Sequence, residues 1–80
     1  MLKNEVEQII HEENLNFYNW YKNREINPNE VGIRNIDGKW SVYASDERAN
    51  PISEKEFTTE SEALENFVKR LRAINKYNRF

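Results

Sequence analysis

The dipeptide Asp37-Gly38, set between two alternating apolar runs, constrains this chain more than any other feature. An Asp-Gly pair suits a two-residue type I′ turn, in which both central positions take positive φ. Val31-Gly32-Ile33-Arg34-Asn35-Ile36 and Lys39-Trp40-Ser41-Val42-Tyr43-Ala44-Ser45 are therefore expected to form a β-hairpin. With Ile36 opposite Lys39, Ile33 faces Val42 and Val31 faces Ala44. Val31, Ile33, Trp40, Val42 and Ala44 then share one face, a coherent core surface that a slip of one residue would scatter. The other face carries Arg34, Ser41 and Tyr43, with Tyr43 across from Gly32, where a ring can cover bare backbone.

Helical spacing brackets the hairpin. Leu2, Val6, Ile9 and Ile10 recur on one face and predict a helix over residues 2–13, with Asn14 as its stop. Residues 15–23 are open to two readings. Leu15, Phe17, Asn19 and Tyr21 alternate as in a strand, whereas Phe17, Trp20 and Tyr21 fit a continued helix. The aromatic density favours the strand. Asn27-Pro28-Asn29 predicts a turn. Residues 46–51 read as a polar loop, and residues 54–57 as a short edge strand. Thr59 with Glu62 makes a capping box. Ala63, Leu64, Phe67, Val68, Leu71 and Ile74 then follow at helical spacing, with fraying expected around residues 75–78. The predicted fold is α+β: an N-terminal helix, a small antiparallel sheet of about three strands with a central hairpin, and a C-terminal helix on the Val31/Ile33/Trp40/Val42 face.

Eighty residues make a single domain, 1–80. The hydrophobic fraction is a modest 38%, and two Trp, four Tyr and four Phe supply the bulk that a small core needs. Without cysteine there is neither a disulfide nor a thiolate metal site. No stretch is apolar enough for a membrane span or a signal-peptide core, so a cytoplasmic protein is expected. The net charge of −2 gives no general attraction to nucleic acid. Residues 30–58 hold four basic and six acidic groups, and residues 59–80 hold five and three. The basic end suits the C-terminus of a helix dipole.

Candidates for chemistry are few. His11 is the sole histidine and sits beside Glu12 and Glu13, as a solvated helical residue does. It has no second His or Cys with which to build a nucleophilic pair or a soft metal site. Ser41, Ser45, Ser53 and Ser61 lack any surrounding motif. Glu54 and Glu56 share a strand face, where edge charges that discourage aggregation are the simplest account. Two glycines leave no phosphate-cradling loop. No catalytic residue, metal or cofactor is therefore assigned, and an enzyme is not expected. Tyr43, Trp20 and Tyr18 near Arg34 could stack on bases, but the sheet region is acidic where phosphates want positive charge. The loop after the hairpin, residues 45–50, is the favoured place for binding residues.

The run Gly38-Lys39-Trp40-Ser41-Val42-Tyr43, then Asp46-Glu47-Arg48, then Phe57-Thr58-Thr59-Glu60-Ser61-Glu62-Ala63-Leu64 resembles bacterial polymorphic-toxin immunity proteins of the contact-dependent-inhibition type. The resemblance covers roughly residues 30–72. Trp40, Val42 and Ala63 in it are explained by core packing, and Thr59 and Glu62 by capping. Asp46-Glu47-Arg48 has no such structural need, and Ala49 stands where the pattern has Gly. The resemblance implies a small α+β protein that binds and blocks one cognate toxin domain, often a nuclease, by protein contact. The expected contact residues are Asp46, Glu47 and Arg48 with Tyr43, Arg34 and Glu30. Gly38, Trp40, Phe57, Thr59, Glu62 and Ala63 are also similar to the arm-type DNA-binding domain of phage integrases. That alternative wants basic strand faces, and this hairpin sets Arg34 and Lys39 against Glu30, Asp37, Asp46 and Glu47.

Overall fold

The computed structural model describes residues 1–22 and 24–77. Helix α1 (Lys3–Glu12) leads into strands β1 (Tyr18–Trp20), β2 (Val31–Ile36), β3 (Lys39–Ser45) and β4 (Pro51–Phe57), and helix α2 (Glu60–Tyr77) closes the order. The strands form one sheet in the order β1-β2-β3-β4. The class is α+β, as the sequence predicts. The sheet has four strands rather than about three, and it is mixed rather than antiparallel, because β1 pairs parallel to β2. The three-residue β1 is too short for alternation to announce its partner or its direction.

The hairpin takes the expected register, with Val31 opposite Ala44, Gly32 opposite Tyr43, Ile33 opposite Val42 and Ile36 opposite Lys39. Asp37 and Gly38 have φ of 50° and 81°, the pair of positive values that a type I′ turn requires. β4 begins at Pro51, where a missing N–H costs no ladder bond, and so runs longer than the expected edge strand. Its pairing with β3 shifts register between Val42 and Ala44. Ser53 takes a φ of 52° there, which marks a bulge on the edge strand.

Both helices cover one sheet face. Val6 of α1, Leu15, Val31, Ile33 and Val42 meet Ala63, Leu64, Phe67, Val68 and Leu71 of α2 in one buried cluster. Each fully buried aliphatic side chain there stabilises the fold by about 1.5–3 kcal/mol over its exposed state. Trp40 and Ala44 are only partly buried, toward the two ends of β3, while Val42 between them is fully covered. Trp20 packs its ring on Phe67, 5.5 Å between centroids, which places β1 on the same core.

The helices lie parallel, their like ends tied together. The N-terminal ammonium donates to Ser61 Oγ at 2.7 Å, and Arg72 pairs with Glu13 through two bonds of 2.6 and 3.1 Å. Asn75 brackets Asn16, its Oδ1 accepting from the Asn16 N–H and its Nδ2 donating to the carbonyl. Asn14 stops α1 as expected, with φ 51°. The N–H of Leu15 donates to the Ile10 carbonyl at 3.0 Å, and that of Asn14 to His11, the bonding of a Schellman end. At the start of α2, the Glu62 N–H donates to Thr59 Oγ1 and that hydroxyl donates to Glu62 Oε1. α2 remains helical through Tyr77, past the start of the expected fraying, and residue 78 lies outside the described residues. No helix among the described residues is long and apolar enough to cross a membrane.

Candidate functional site

The sheet face away from the helices is polar, and alternation explains its content. Gly32, Arg34, Ser41 and Tyr43 point there because Val31, Ile33 and Val42 point to the core. Asn19 of β1 joins them opposite Gly32. Tyr43 is nonetheless 0% exposed. Its ring lies over Gly32, where a β-carbon would overlap it, and under the guanidinium of Arg34, 4.6 Å from the centroid. Its hydroxyl donates to Glu30 Oε2 at 2.7 Å and accepts from Asn19 Nδ2 at 3.1 Å.

Glu30 is the hub of this network. Its carboxylate accepts from Arg24 at 2.8 and 3.3 Å, from Tyr43, and from the Asn27 N–H at 3.3 Å. Burial pushes its pKa up, but the bonds from Arg24, Tyr43 and Asn27 outweigh that and hold it below the ordinary carboxylate value. Burial, with the Glu30 carboxylate beside it, raises the Tyr43 phenol. The network pins the connection between β1 and β2 over the outer face, which is what hides Tyr43. That connection is bound in turn to the loop at residues 46–50. Glu30 N–H donates to Ser45 Oγ, Ser45 Oγ–H to the Asn27 carbonyl, and Asn29 N–H to the Asp46 carbonyl.

The loop is shaped from within by Asp46. Its Oδ1 accepts from the N–H groups of Asn50 and Arg48, each at 2.9 Å, and the Asn50 bond is the main reason its pKa is lowered. Ala49 takes a φ of 64°, the left-handed conformation for which Gly is suited. Glu47 and Arg48 project from this frame, exposed and without a side-chain partner among the described residues. Asn29, Ser45, Asp46, Glu47, Arg48 and Asn50 line a shallow open hollow with Ile52. Further along the same strands, toward the Asp37-Gly38 turn, Arg34 pairs with Glu54 at 2.7 Å, Ser41 donates to the same carboxylate, and Lys39 sits 3.7 Å from Glu56.

Of the six expected contact residues, Glu47 and Arg48 reach solvent freely, Asp46 is engaged by its own loop, and Arg34 is half-buried in an ion pair. Glu30 and Tyr43 are buried within the chain. Tyr43, Trp20 and Tyr18 do not form one platform, because Trp20 packs into the helix-side core while Tyr43 lies on the outer face. Asn19 and Arg24 escape the sequence reading. The polar Asn19 among aromatics is a signal for the outer face. Nothing in the pattern singles out Arg24.

Such a molecule, with charged groups displayed on a braced loop and sheet rather than gathered in a cleft, is built like a protein-binding module. The chain belongs to the Immunity protein 59 family, whose family model matches residues 1–80. It is thus a polymorphic-toxin immunity protein, and the match extends beyond the stretch on which the sequence resemblance rests. Neither a curated protein nor a solved structure matches the chain.

Proposed function

We propose that this protein neutralises a cognate nuclease-type toxin domain by direct contact, in the cytoplasm of the cell that makes the toxin and without chemistry of its own. The observation that carries this reading is the pairing of two free charges, Glu47 and Arg48, with a loop that Asp46 and the Glu30–Ser45 bonds hold in place. A braced loop loses little freedom on binding, so more of its contact energy becomes affinity. Asp46, Glu47 and Arg48 with Arg34 form the contact surface. Tyr43 and Glu30 act by positioning that surface from beneath. The acidic Asp46 and Glu47 suit the basic surface that a nuclease presents to phosphates, and such complementarity speeds association and selects the partner.

Co-expression with the toxin domain encoded by the neighbouring gene tests the reading. Co-purification of the two chains and survival of the host are expected. A toxin that neither binds this chain nor is restrained by it contradicts the proposal.

A further inference from the structure

We propose that the flank of α2 overhanging β4 is a second contact surface for the toxin, and that Arg70 there, with Lys55, takes an aspartate or glutamate side chain of that partner. This contact rests on the reading of the chain as a toxin-binding protein. It lies on the helix side of the sheet and shares no residue with the loop at 46–50.

Ser61, Arg72 and Asn75 bind one side of α2 to α1 and the residues at its ends, Met1, Glu13 and Asn16. Asn66 and Arg70 stand about half a turn around the helix from them. They face β4, because α1 adjoins β1 at the other edge of the sheet. α2 packs on β4 as well as on β2 and β3. Within β4, Lys55 lies opposite the fully buried Val42 and Phe57 opposite Trp40, so both point to the helix side. Lys55 is exposed, with its Nζ 5.5 Å from the centroid of the partly buried Phe57 ring.

Among the described residues three arginines are half-buried, and the fold answers two of them. Arg24 binds Glu30, and Arg34 binds Glu54. Arg70 has no carboxylate: its Nη1 is buried with nothing to accept its protons, and the rest of the guanidinium reaches the surface. The positions three and four residues away on α2 hold Asn66, Phe67, Ala73 and Ile74, none of them an acid. Glu54 and Glu56 of β4 turn to the outer face, to Arg34 and Lys39, and leave Lys55 unpaired. Asn66 Oδ1, one turn from Arg70, is also buried without a donor. Burial pulls the Arg70 guanidinium below its ordinary pKa. A charge taken partly out of water without a counter-charge costs stability, so its use lies outside the fold. The planar fork of an arginine matches a carboxylate, and two unpaired cations beside the Trp40 and Phe57 rings suit an acidic side chain with a carbon stem. The net charge of −2 provides no wider field for nucleic-acid phosphates.

Calorimetric titration of a catalytically inactivated toxin domain, with thermal melts of each variant, tests the assignment. Arg70→Met keeps the packed stem and removes the unpaired charge, so it is expected to melt no lower than the wild type. It should weaken Kd at least about tenfold. Lys55→Gln, at an exposed position, supplies an independent arm with an expected loss of about threefold or more. Wild-type binding that both variants retain within about twofold overturns the contact and leaves the immunity function standing. A lower melt for Arg70→Met returns the guanidinium to the fold and overturns it too. No wild-type binding at all overturns the reading beneath it. Binding of duplex DNA at low salt that Arg70→Met abolishes gives the flank to phosphates, and a wild-type dimer that it dissociates gives it to a second copy; either result overturns the proposal.

Discussion

The ring of Tyr43 occupies the space that a β-carbon on Gly32 would need. This cross-strand fit fixes where the Tyr43 hydroxyl reaches Glu30, and through Glu30 it sets the path of the connection over the outer face. Gly32 is required here for room, not for an unusual φ. Gly32→Ala is expected to destabilise the fold by about 1–3 kcal/mol, as overpacking does. Urea unfolding measures it. An unchanged midpoint would mean that the ring does not lie on the strand.

Glu30 makes stability depend on pH in a direction that can be derived. Its pKa is lower in the folded chain than the ordinary 4.5. The group therefore contributes stability that is fully present above that value and is lost as the pH falls through the lower folded value. Glu30→Gln should flatten this part of the acid limb. Tyr43→Phe removes one donor to the carboxylate and should cost about 1–2 kcal/mol at neutral pH. Urea midpoints recorded between pH 7 and pH 3 check both expectations.

Ala49 sits at positive φ in the loop that Asp46 frames. Gly at this position removes a steric cost of roughly 1–2 kcal/mol and returns part of it as entropy of the unfolded chain. Ala49→Gly is expected to stabilise by about 0.5–1 kcal/mol, or roughly 3–6 °C in Tm for a domain of this size. A melt at or below that of the wild type would mean that the loop is not held in the left-handed conformation.

How much was legible in the sequence follows from how many local signals agreed. At Asp37-Gly38, turn chemistry and the alternation on both sides name the same register, and the structure has it. Thr59 and Glu62 place the start of α2 for a similar reason, because cap and apolar stripe coincide. β1 was only half legible. Three residues carry no record of direction, and the parallel pairing depends on a connection whose course is set by tertiary bonds. The face of Tyr43 could be read from its position opposite Gly32. Its burial could not, since that depends on the Arg34 guanidinium folding over the ring and on Glu30 being held against its hydroxyl by Arg24, which no periodicity links to it. Asp46-Glu47-Arg48 stands out in the sequence because neither turn, core nor cap explains it; the structure gives Asp46 a part in shaping the loop, where its carboxylate accepts from the Arg48 and Asn50 N–H groups, and leaves the side chains of Glu47 and Arg48 unoccupied by the fold.

If this braced, charged loop binds the toxin, reversing its two free charges removes the contact without unfolding the chain. Kd for the inactivated toxin domain should be compared between the wild type and the double variant Glu47→Lys/Arg48→Glu, at matched salt and with equal melting temperatures. Tight wild-type binding is expected, with a loss of at least about tenfold in the variant, much of it in the association rate. Equal affinity of the two proteins would contradict it.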